Sequence, residues 1–303
     1  MVRDGKGVIE DGYITDIITD EALGYLDRWD GARPFYLSVH YTAPHSPWVN
    51  QHPQEIVDSY DDCPFISCPQ EERHPWAISL TDRCLGDRES LKGYFAAVTA
   101  MDANIGRILD RVEELGLRED TLIIFASDNG FSCGHHGFWG KGNGTFPRNM
   151  YENSIKVPFI ASQPGRIPQG VATDAMVSAY DFMPTLLDYL DLPLPAGQNL
   201  PGRSFLPVLM GQRPDHDDEV VVYDEYGPVR MIRADEWKYV YRHAHGPDEL
   251  FHLKEDPDER VNLAYEAGYD EQRRALKARL DEWFAQYVIP ERDGLRENSE
   301  YWR

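Results

Sequence analysis

The sequence predicts an α/β fold in which a mixed, largely parallel central sheet is flanked by helices and followed by a smaller α+β subdomain. Three observations predict it: a long amphipathic helix, a short apolar run after it that ends in a polar cluster, and a change to β-rich segments beyond residue 212. We assign residues 1–211 to the central α/β domain and residues 212–303 to the C-terminal subdomain.

The first predicted elements are a helix and a strand. Residues 16–29 repeat apolar side chains at helical spacing, and residues 35–39 form an apolar run after Pro34. Such a run is typical of a buried strand. Residues 50–90 show no sustained period, so we expect a long surface excursion there, which in compact domains is usually functional or mobile.

The clearest helix of the chain covers residues 94–115. Its apolar side chains recur at alternating spacings of four and three, at Tyr94, Val98, Met101, Ile105, Ile108, Val112 and Leu115. This period predicts one continuous apolar face in the core. Gly116 is the residue type that commonly ends a helix.

A polar cluster follows the next predicted strand. Residues 122–126 form a short, fully apolar run that stops at residues 127–130, Ser-Asp-Asn-Gly. In open α/β sheets, ligands bind at the carboxyl ends of such strands. A strand at 157–161 and a helix near 182–190 continue the alternation. The β-rich part then has strands at 220–223 and 237–241 and a final amphipathic helix around Leu276.

Composition limits the function classes. The 303 residues contain 30 Lys and Arg against 52 Asp and Glu, a formal net charge of −22, so nucleic acid and anionic membrane surfaces are poor partners. No stretch approaches the ~20 apolar residues of a membrane span, and residues 1–16 lack the apolar core of a secretory signal. The four cysteines match no common zinc spacing, and we expect ordinary free thiols.

Four polar residues follow predicted strands and are the candidate site. His45 lies in a loop shaped by two prolines, where a plain surface histidine is the alternative. Asp128 and Asn129 offer oxygen ligands suited to Ca²⁺ or Mg²⁺, although Asp-Asn-Gly is also a common turn. Lys141 lies among glycines that allow close approach to an anion, or it belongs to an ordinary glycine-rich loop.

Together and in this order, these residues resemble the sulfatase family of the alkaline phosphatase superfamily. The resemblance extends over nearly the whole chain, at residues 12–16, 35–48, 94–129, 136–141, 151–159, 181–186 and 249–263. It implies an incomplete alkaline phosphatase-like fold and a sulfuric ester hydrolase. The last of these segments is a family marker without a chemical role.

The resemblance also implies roles for single residues. Asp128 and Asn129 look like two ligands of the single divalent cation, usually Ca²⁺, with Mg²⁺ as the alternative. Lys141 looks like the lysine that contacts a sulfate oxygen, and His45 like the histidine that binds the ester near its bridging oxygen and helps to protonate the leaving group. His136 falls in a His-Gly pair beside the substrate. These roles suit the chemistry, because sulfate ester cleavage develops negative charge that cations and proton donors stabilise.

The nucleophile is where the sequence departs from the family. Sulfatases carry a Cys or Ser in a Cys/Ser-x-Pro-x-Arg motif near the N-terminus, which is oxidised to formylglycine. None of the four cysteines begins it; Cys84 has the arginine, Arg88, but glycine in place of proline. We predict that the motif is absent and that the isolated chain is inactive, because the covalent step needs an activated nucleophile. The chain would then be truncated, completed by a separate N-terminal segment, or a remnant.

Two other functions stay open. One is a phosphate or phosphonate ester hydrolase of the same superfamily, although Asn129 argues against the two-zinc phosphatases, whose ligands are richer in histidine. The other is a noncatalytic module with half a cation site. The expected ligand is a small or glycan sulfate ester that the sequence does not identify, and a chain lacking early strands would self-associate or need a partner. Localisation is open between the cytoplasm and, for a longer form, secretion or the periplasm.

Overall fold

The computed structural model describes residues 2–3, 5–212, 219–224, 227–243 and 245–296. The chain divides into two compact units. The first contains Met1–Arg73, Ser79–Leu122 and Cys133–Gly137, and the second contains His74–Ile78, Ile123–Ser132 and Phe138–Arg303. The predicted boundary at residue 212 lies within the second unit and stays a prediction. Among the described residues, no helix combines the length and apolarity that crossing a bilayer requires.

The first unit is mainly helical. Its elements are β1 (Val2–Arg3), β2 (Lys6–Gly7), α1 (Ile14–Arg28), α2 (Gln54–Asp58), α3 (Ser79–Cys84) and α4 (Arg88–Glu114). The sequence predicted α1 and α4, although α4 begins six residues earlier than its apolar pattern. The Asp87 carboxylate accepts the backbone N–H of Ser90 at 3.0 Å and caps α4 there. Gly116 follows the helix in the left-handed region, with φ of 68°.

Helix α1 packs on α4 through polar contacts at its margin. The Asn104 side chain, buried on α4, donates to the Asp16 carboxylate at 2.8 Å. Further along, Arg111 pairs with Asp27 at 2.7 Å, at the surface. A buried amide that has its partner specifies how the two helices align, whereas the exposed pair contributes little stability.

The predicted buried strand at residues 35–39 is wrong. Among the described residues, this segment has no ladder partner and is assigned to no strand. Its side chains alternate between half-buried and exposed, with Phe35, Leu37 and Val39 turned inward and Tyr36 71% exposed. The apolar run marks an extended segment with one covered face, because an apolar run alone does not supply backbone hydrogen-bond partners.

The second unit contains the strand that leads to the candidate site. Its elements up to residue 212 are β3 (Ile123–Ala126), β4 (Ser132–Cys133, which ends in the first unit), β5 (Trp139–Gly140), α5 (Glu152–Ile155), β6 (Phe159–Ser162), α6 (Phe182–Tyr189) and α7 (Leu206–Leu209). Strands β3 and β6 pair antiparallel, with Ile123 opposite Ser162 and Ala126 opposite Phe159. The predicted α/β class is confirmed, while the pairings described are antiparallel.

The C-terminal part is a four-stranded antiparallel sheet covered by a helix. Strands β7 (Glu219–Tyr223), β8 (Val229–Ala234), β9 (Trp237–Arg242) and β10 (Glu249–His252) lie in the order β10-β9-β8-β7, and α8 is Asp270–Tyr287. Helix α8 packs its apolar stripe on one face of the sheet. The shared core contains Val221, Ile232, Tyr239, Leu250, Leu276, Leu280 and Phe284. The predicted α+β character of this region matches these elements.

The segment after β10, which the sequence treats as a family marker, has a structural role. Glu259 adopts a left-handed backbone, with φ of 54°, and its side chain is buried. The carboxylate pairs with the fully buried Lys238 ammonium at 2.6 Å and accepts the backbone N–H of Glu152 at 2.7 Å. Lys238 also contacts the Glu152 carboxylate at 3.1 Å. These bonds join β9 and the Glu259 turn to the start of α5.

We predict that Glu259→Gln destabilises the chain by about 3 kcal/mol, because removal of one partner leaves a buried charge poorly compensated. The retained Glu152 contact keeps the loss at the lower end of that range. The exposed neighbour Asp258 provides the control, since Asp258→Asn should change stability by less than ~0.5 kcal/mol. Urea unfolding of both variants measures the difference, and equal midpoints would contradict a stabilising role for the buried pair.

Candidate active site

The structure brings Lys141 and Asn129 together. The Lys141 ammonium donates to the Asn129 side-chain oxygen at 2.7 Å. Asn129 follows the carboxyl end of β3, and Lys141 follows β5. Asp128, the residue before Asn129, is exposed. The expectation that Asp128, Asn129 and Lys141 share one region therefore agrees with the geometry of the second unit.

The turn at residues 128–130 is built against α5. The Gly130 N–H donates to the Ser154 carbonyl at 3.1 Å, and a Cβ at Gly130 would lie 2.2 Å from the Asn153 carbonyl oxygen. Only glycine allows that approach. The Asn129 side-chain N–H donates to the Gly130 carbonyl at 2.8 Å, which leaves Oδ1 directed to Lys141. The amide orientation is consequently set by two partners.

Asn149, which the sequence did not single out, organises the loop after Lys141. Its fully buried side chain donates to the Lys141 carbonyl at 3.2 Å and to the Thr145 hydroxyl at 3.1 Å. Its oxygen accepts the Ser154 hydroxyl at 2.6 Å. Because Ser154 also bonds Gly130, one asparagine links the lysine loop to the turn that contains Asn129. No sequence motif indicates a role for Asn149. The signal is structural, because a buried amide must have hydrogen-bond partners.

The donor set supplies only part of a calcium site. Asp128 and Asn129 supply carboxylate and amide oxygens, which are the right chemistry, but Ca²⁺ takes ~6–8 oxygen ligands. Within the described ranges, no group of three or more His, Cys, Asp or Glu side chains could surround a metal ion. The Asn129 oxygen is also engaged by the Lys141 ammonium. The residues present therefore do not form a complete cation site by themselves.

His45 belongs to the first unit, in a loop anchored on α4. Its Nδ1–H donates to the Ser46 carbonyl at 2.8 Å, because a carbonyl can only accept, so Nε2 is the ring nitrogen left for a ligand. Trp48 anchors the loop: its buried indole donates to the Pro44 carbonyl at 2.7 Å. The Trp48 backbone lies so close to α4 that a Cβ on Gly93 would be 2.4 Å from the Trp48 carbonyl oxygen.

His136 also lies in the first unit. It occupies the short turn His135–Gly137 with a left-handed backbone, φ of 54°, and is half-buried. Gly137 closes this turn by donating to the Gly134 carbonyl at 3.0 Å. His45 and His136 thus belong to one unit, and Asp128, Asn129 and Lys141 to the other. The roles given to all five residues stay predictions.

The prediction that the nucleophile motif is absent is wrong as a statement about sequence. Residues 162–166 read Ser-Gln-Pro-Gly-Arg and match its serine form. Ser162 ends β6 opposite Ile123, whereas Phe159 lies opposite Ala126, next to the site. At ~3.3 Å per residue, Ser162 lies at the far end of the β3–β6 pair from Asp128. It is not positioned to attack a group bound there.

The burial of Cys84 argues against it as the nucleophile. It ends α3 and is 5% exposed. The Arg88 guanidinium, which would complete a partial motif, donates to the carbonyl oxygens of Tyr60 at 3.2 Å and Cys63 at 3.0 Å. Arg88 therefore stabilises the loop of residues 60–63, and its guanidinium is engaged there and not at a nucleophile.

Comparison with known proteins gives the family. A model of the sulfatase family matches residues 3–192, and a model described as the C-terminal part of N-sulphoglucosamine sulphohydrolase matches residues 134–286. The chain is 27% identical to an N-acetylglucosamine-6-O-sulfatase of Bacteroides thetaiotaomicron, over 94% of this chain and 64% of that protein. It is 31% identical to a choline-sulfatase of Rhizobium meliloti, over 78% of this chain and 47% of that protein.

A solved structure extends the comparison to the fold. A protein in complex with its substrate D-glucosamine-2-N,6-O-disulfate aligns with a TM-score of 0.79 at 24% identity, over 97% of this chain and 74% of that chain. The fold is therefore that of the alkaline phosphatase-like hydrolases. Within that class, the chain belongs to the sulfatase family. It spans about half to two thirds of the length of the two curated relatives.

We predict that Gly93→Ala destabilises the first unit and disturbs the His45 loop, since the new methyl group would overlap the Trp48 backbone. Overpacking of this kind costs ~1–3 kcal/mol. A Cβ on Gly106, in the same helix, would meet no neighbouring atom within 4 Å, so Gly106→Ala should stabilise by ~0.5–1 kcal/mol. Thermal and urea unfolding compare the two variants, and a shift of the same sign in both would refute the close contact.

Proposed function

We propose that the chain carries the central and C-terminal part of a sulfuric ester hydrolase site, with Lys141 as its anion-binding group. The observation that carries the proposal is the 2.7 Å bond between the Lys141 ammonium and the Asn129 oxygen at the end of β3. An ammonium has three N–H donors, so two remain for sulfate oxygens. Its charge offsets the negative charge that develops on those oxygens.

The other candidate residues act on the leaving group, the cation and the substrate. The Nδ1–H bond to Ser46 orients the His45 ring and leaves Nε2 as the atom that, in the imidazolium, gives a proton to the departing oxygen. Asp128 and Asn129 contribute oxygen donors for Ca²⁺, or Mg²⁺, whose remaining ligands come from outside the described residues. When bound, such a cation polarises the sulfate ester. His136 contributes a further substrate contact.

The substrate class proposed is a sulfate ester on a sugar. Two comparisons support it: the relative named for N-acetylglucosamine 6-O-sulfate, and the solved structure with a disulfated glucosamine. A choline-sulfatase also matches, so the sulfate group is the part of the substrate common to these proteins. Phosphate or phosphonate esters are the alternative, and a direct substrate comparison decides between them.

We further propose that turnover requires a nucleophile that the described residues do not place at the site. The four cysteines do not begin the motif, and Ser162 lies at the far end of the β3–β6 pair. The groups that remain would bind and polarise an ester, but they lack an agent for the covalent step. Residual rates near background are expected, as when nucleophiles are removed from other enzymes.

The test assays the purified chain with an aryl sulfate and Ca²⁺, beside a version extended with its upstream genomic sequence and coexpressed with the formylglycine-generating enzyme. We expect turnover only in the extended version and at least a 100-fold loss with Lys141→Ala or His45→Ala. Lys254→Ala, at an exposed lysine of the C-terminal part, should leave the rate unchanged.

Three outcomes would contradict this proposal. Ordinary turnover by the short chain would show that its nucleophile lies within the 303 residues, and Ser162→Ala and Cys84→Ala would identify it. An extended version that retains its activity without Lys141 would remove the anion-binding role. Preference for a phosphonate monoester over every sulfate ester tested would favour the alternative hydrolase.

A further inference from the structure

Two cysteines that are 65 residues apart in the sequence meet in the first unit. The Gln70 side-chain N–H groups donate to the carbonyl oxygens of Cys68 at 2.9 Å and Cys133 at 2.7 Å. Next to them, the Glu71 N–H donates to the Gly134 carbonyl at 3.3 Å. The loop at residues 68–71 and the turn that begins at Cys133 are therefore joined along their backbones.

The side chains of these two backbone-linked cysteines also influence each other's titration. Cys133 acts on the Cys68 thiol as a hydrogen-bond donor, and the Tyr94 hydroxyl acts on Cys133 in the same way. Cys68 is half-buried, whereas Cys133 is 2% exposed. The Cys133 bond lowers the pKa of Cys68 to about 7, against the effect of partial burial. The pKa of Cys133 is raised well above its ordinary value by its bond to Cys68 and by burial.

A metal site is the first alternative for clustered thiols. Cys84, 5% exposed, is the third cysteine near Cys133. Nevertheless, in the part of the chain that the structure describes, no three metal-ligating side chains surround a common point. The arrangement of one accessible thiol that accepts a bond from one buried thiol is instead the arrangement of an attacking and a resolving cysteine.

We propose that Cys68 and Cys133 form a reversible thiol–disulfide site, in which Cys68 attacks a small disulfide oxidant such as oxidised glutathione and Cys133 resolves the product. In the first step, the Cys68 thiolate bonds one glutathione sulfur and expels the other as a thiolate. In the second, Cys133 gives its proton to solvent, and its thiolate bonds the Cys68 sulfur, breaks the mixed disulfide and expels the second glutathione as a thiolate that solvent protonates. The protein dithiol is oxidised by two electrons, and one oxidised glutathione becomes two reduced molecules.

The neighbouring groups suit this order of events. While Cys68 is a thiolate, its charge holds the proton on Cys133; once Cys68 carries glutathione, that charge is gone. The Tyr94 hydroxyl then remains as a donor to the Cys133 sulfur and stabilises the resolving thiolate. The disulfide would join the 68–71 loop covalently to the turn of residues 133–137, which contains His136, so oxidation would restrict that turn.

The first experiment measures accessibility and charge in the full chain. Iodoacetamide labelling followed by peptide mass spectrometry gives the rate for each cysteine between pH 5.5 and 9.5. We expect Cys68 to label with a half-maximal rate near pH 7, and Cys63, a half-buried thiol of the same loop, serves as the comparison. The titratable groups that interact with Cys68 are Cys133 and Tyr94, and the Cys133 donor lowers the Cys68 pKa, so Cys133→Ala, which removes that donor, should move the Cys68 midpoint upward. A Cys68 midpoint at or above ~8.5, the value of an ordinary thiol, would overturn the proposal.

The second experiment follows the disulfide itself. After treatment with oxidised glutathione, we expect peptides joined through Cys68 and Cys133, and a stable glutathione adduct at Cys68 when Cys133 is replaced by serine. Tyr94→Phe should slow closure about threefold or more without changing the first step. Cys84→Ser, a change at another buried thiol, should leave both steps intact, and circular dichroism verifies that each variant is folded. Adducts at Cys63 and Cys68 alone, with no joined peptides in the unmutated chain, would refute the pairing.

Discussion

The candidate site depends on one buried amide. Asn149 is fully buried, and its side chain bonds the carbonyl of Lys141 and the hydroxyl of Ser154 at once. Ser154 in turn accepts the Gly130 N–H through its carbonyl. Since a buried polar group costs ~1–3 kcal/mol when it loses its partner, these bonds favour one arrangement of the two loops. The Lys141 ammonium and the Asn129 oxygen meet as a consequence.

The same segment receives support from the C-terminal part. Helix α5 begins at Glu152, whose N–H and carboxylate bond Glu259 and Lys238. Because α5 also packs against the turn at residues 128–130, the C-terminal sheet contributes to the position of Asn129. The Glu259 segment, which the sequence shares with the family it resembles, therefore has a structural role: it supports the helix that packs against the candidate site.

The four longest helices, α1, α4, α6 and α8, and the strands β3, β6, β7 and β9 could be predicted from the sequence, because a regular apolar period indicates which face is buried. The segment at residues 35–39 could not, since strand formation needs a hydrogen-bonding neighbour that composition does not reveal. Lys141 and Asn129 were predicted as site residues from their local motifs and from the order of those motifs along the chain. Asn149 and the meeting of Cys68 with Cys133 were missed, because both depend on contacts between loops, and Ser162 shows that a motif match alone does not position a side chain.

Hydrogen exchange at the Gly130 amide tests this account most directly. Its N–H donates to Ser154 in the segment that Asn149 organises, so Asn149→Ala should accelerate exchange at Gly130 by about tenfold or more. Exchange at Val240, in the C-terminal sheet, should change little, and Asn143→Ala, at an exposed residue of the same loop, should leave Gly130 protected. Unchanged protection of Gly130 in Asn149→Ala would contradict the claim that this buried amide positions the site.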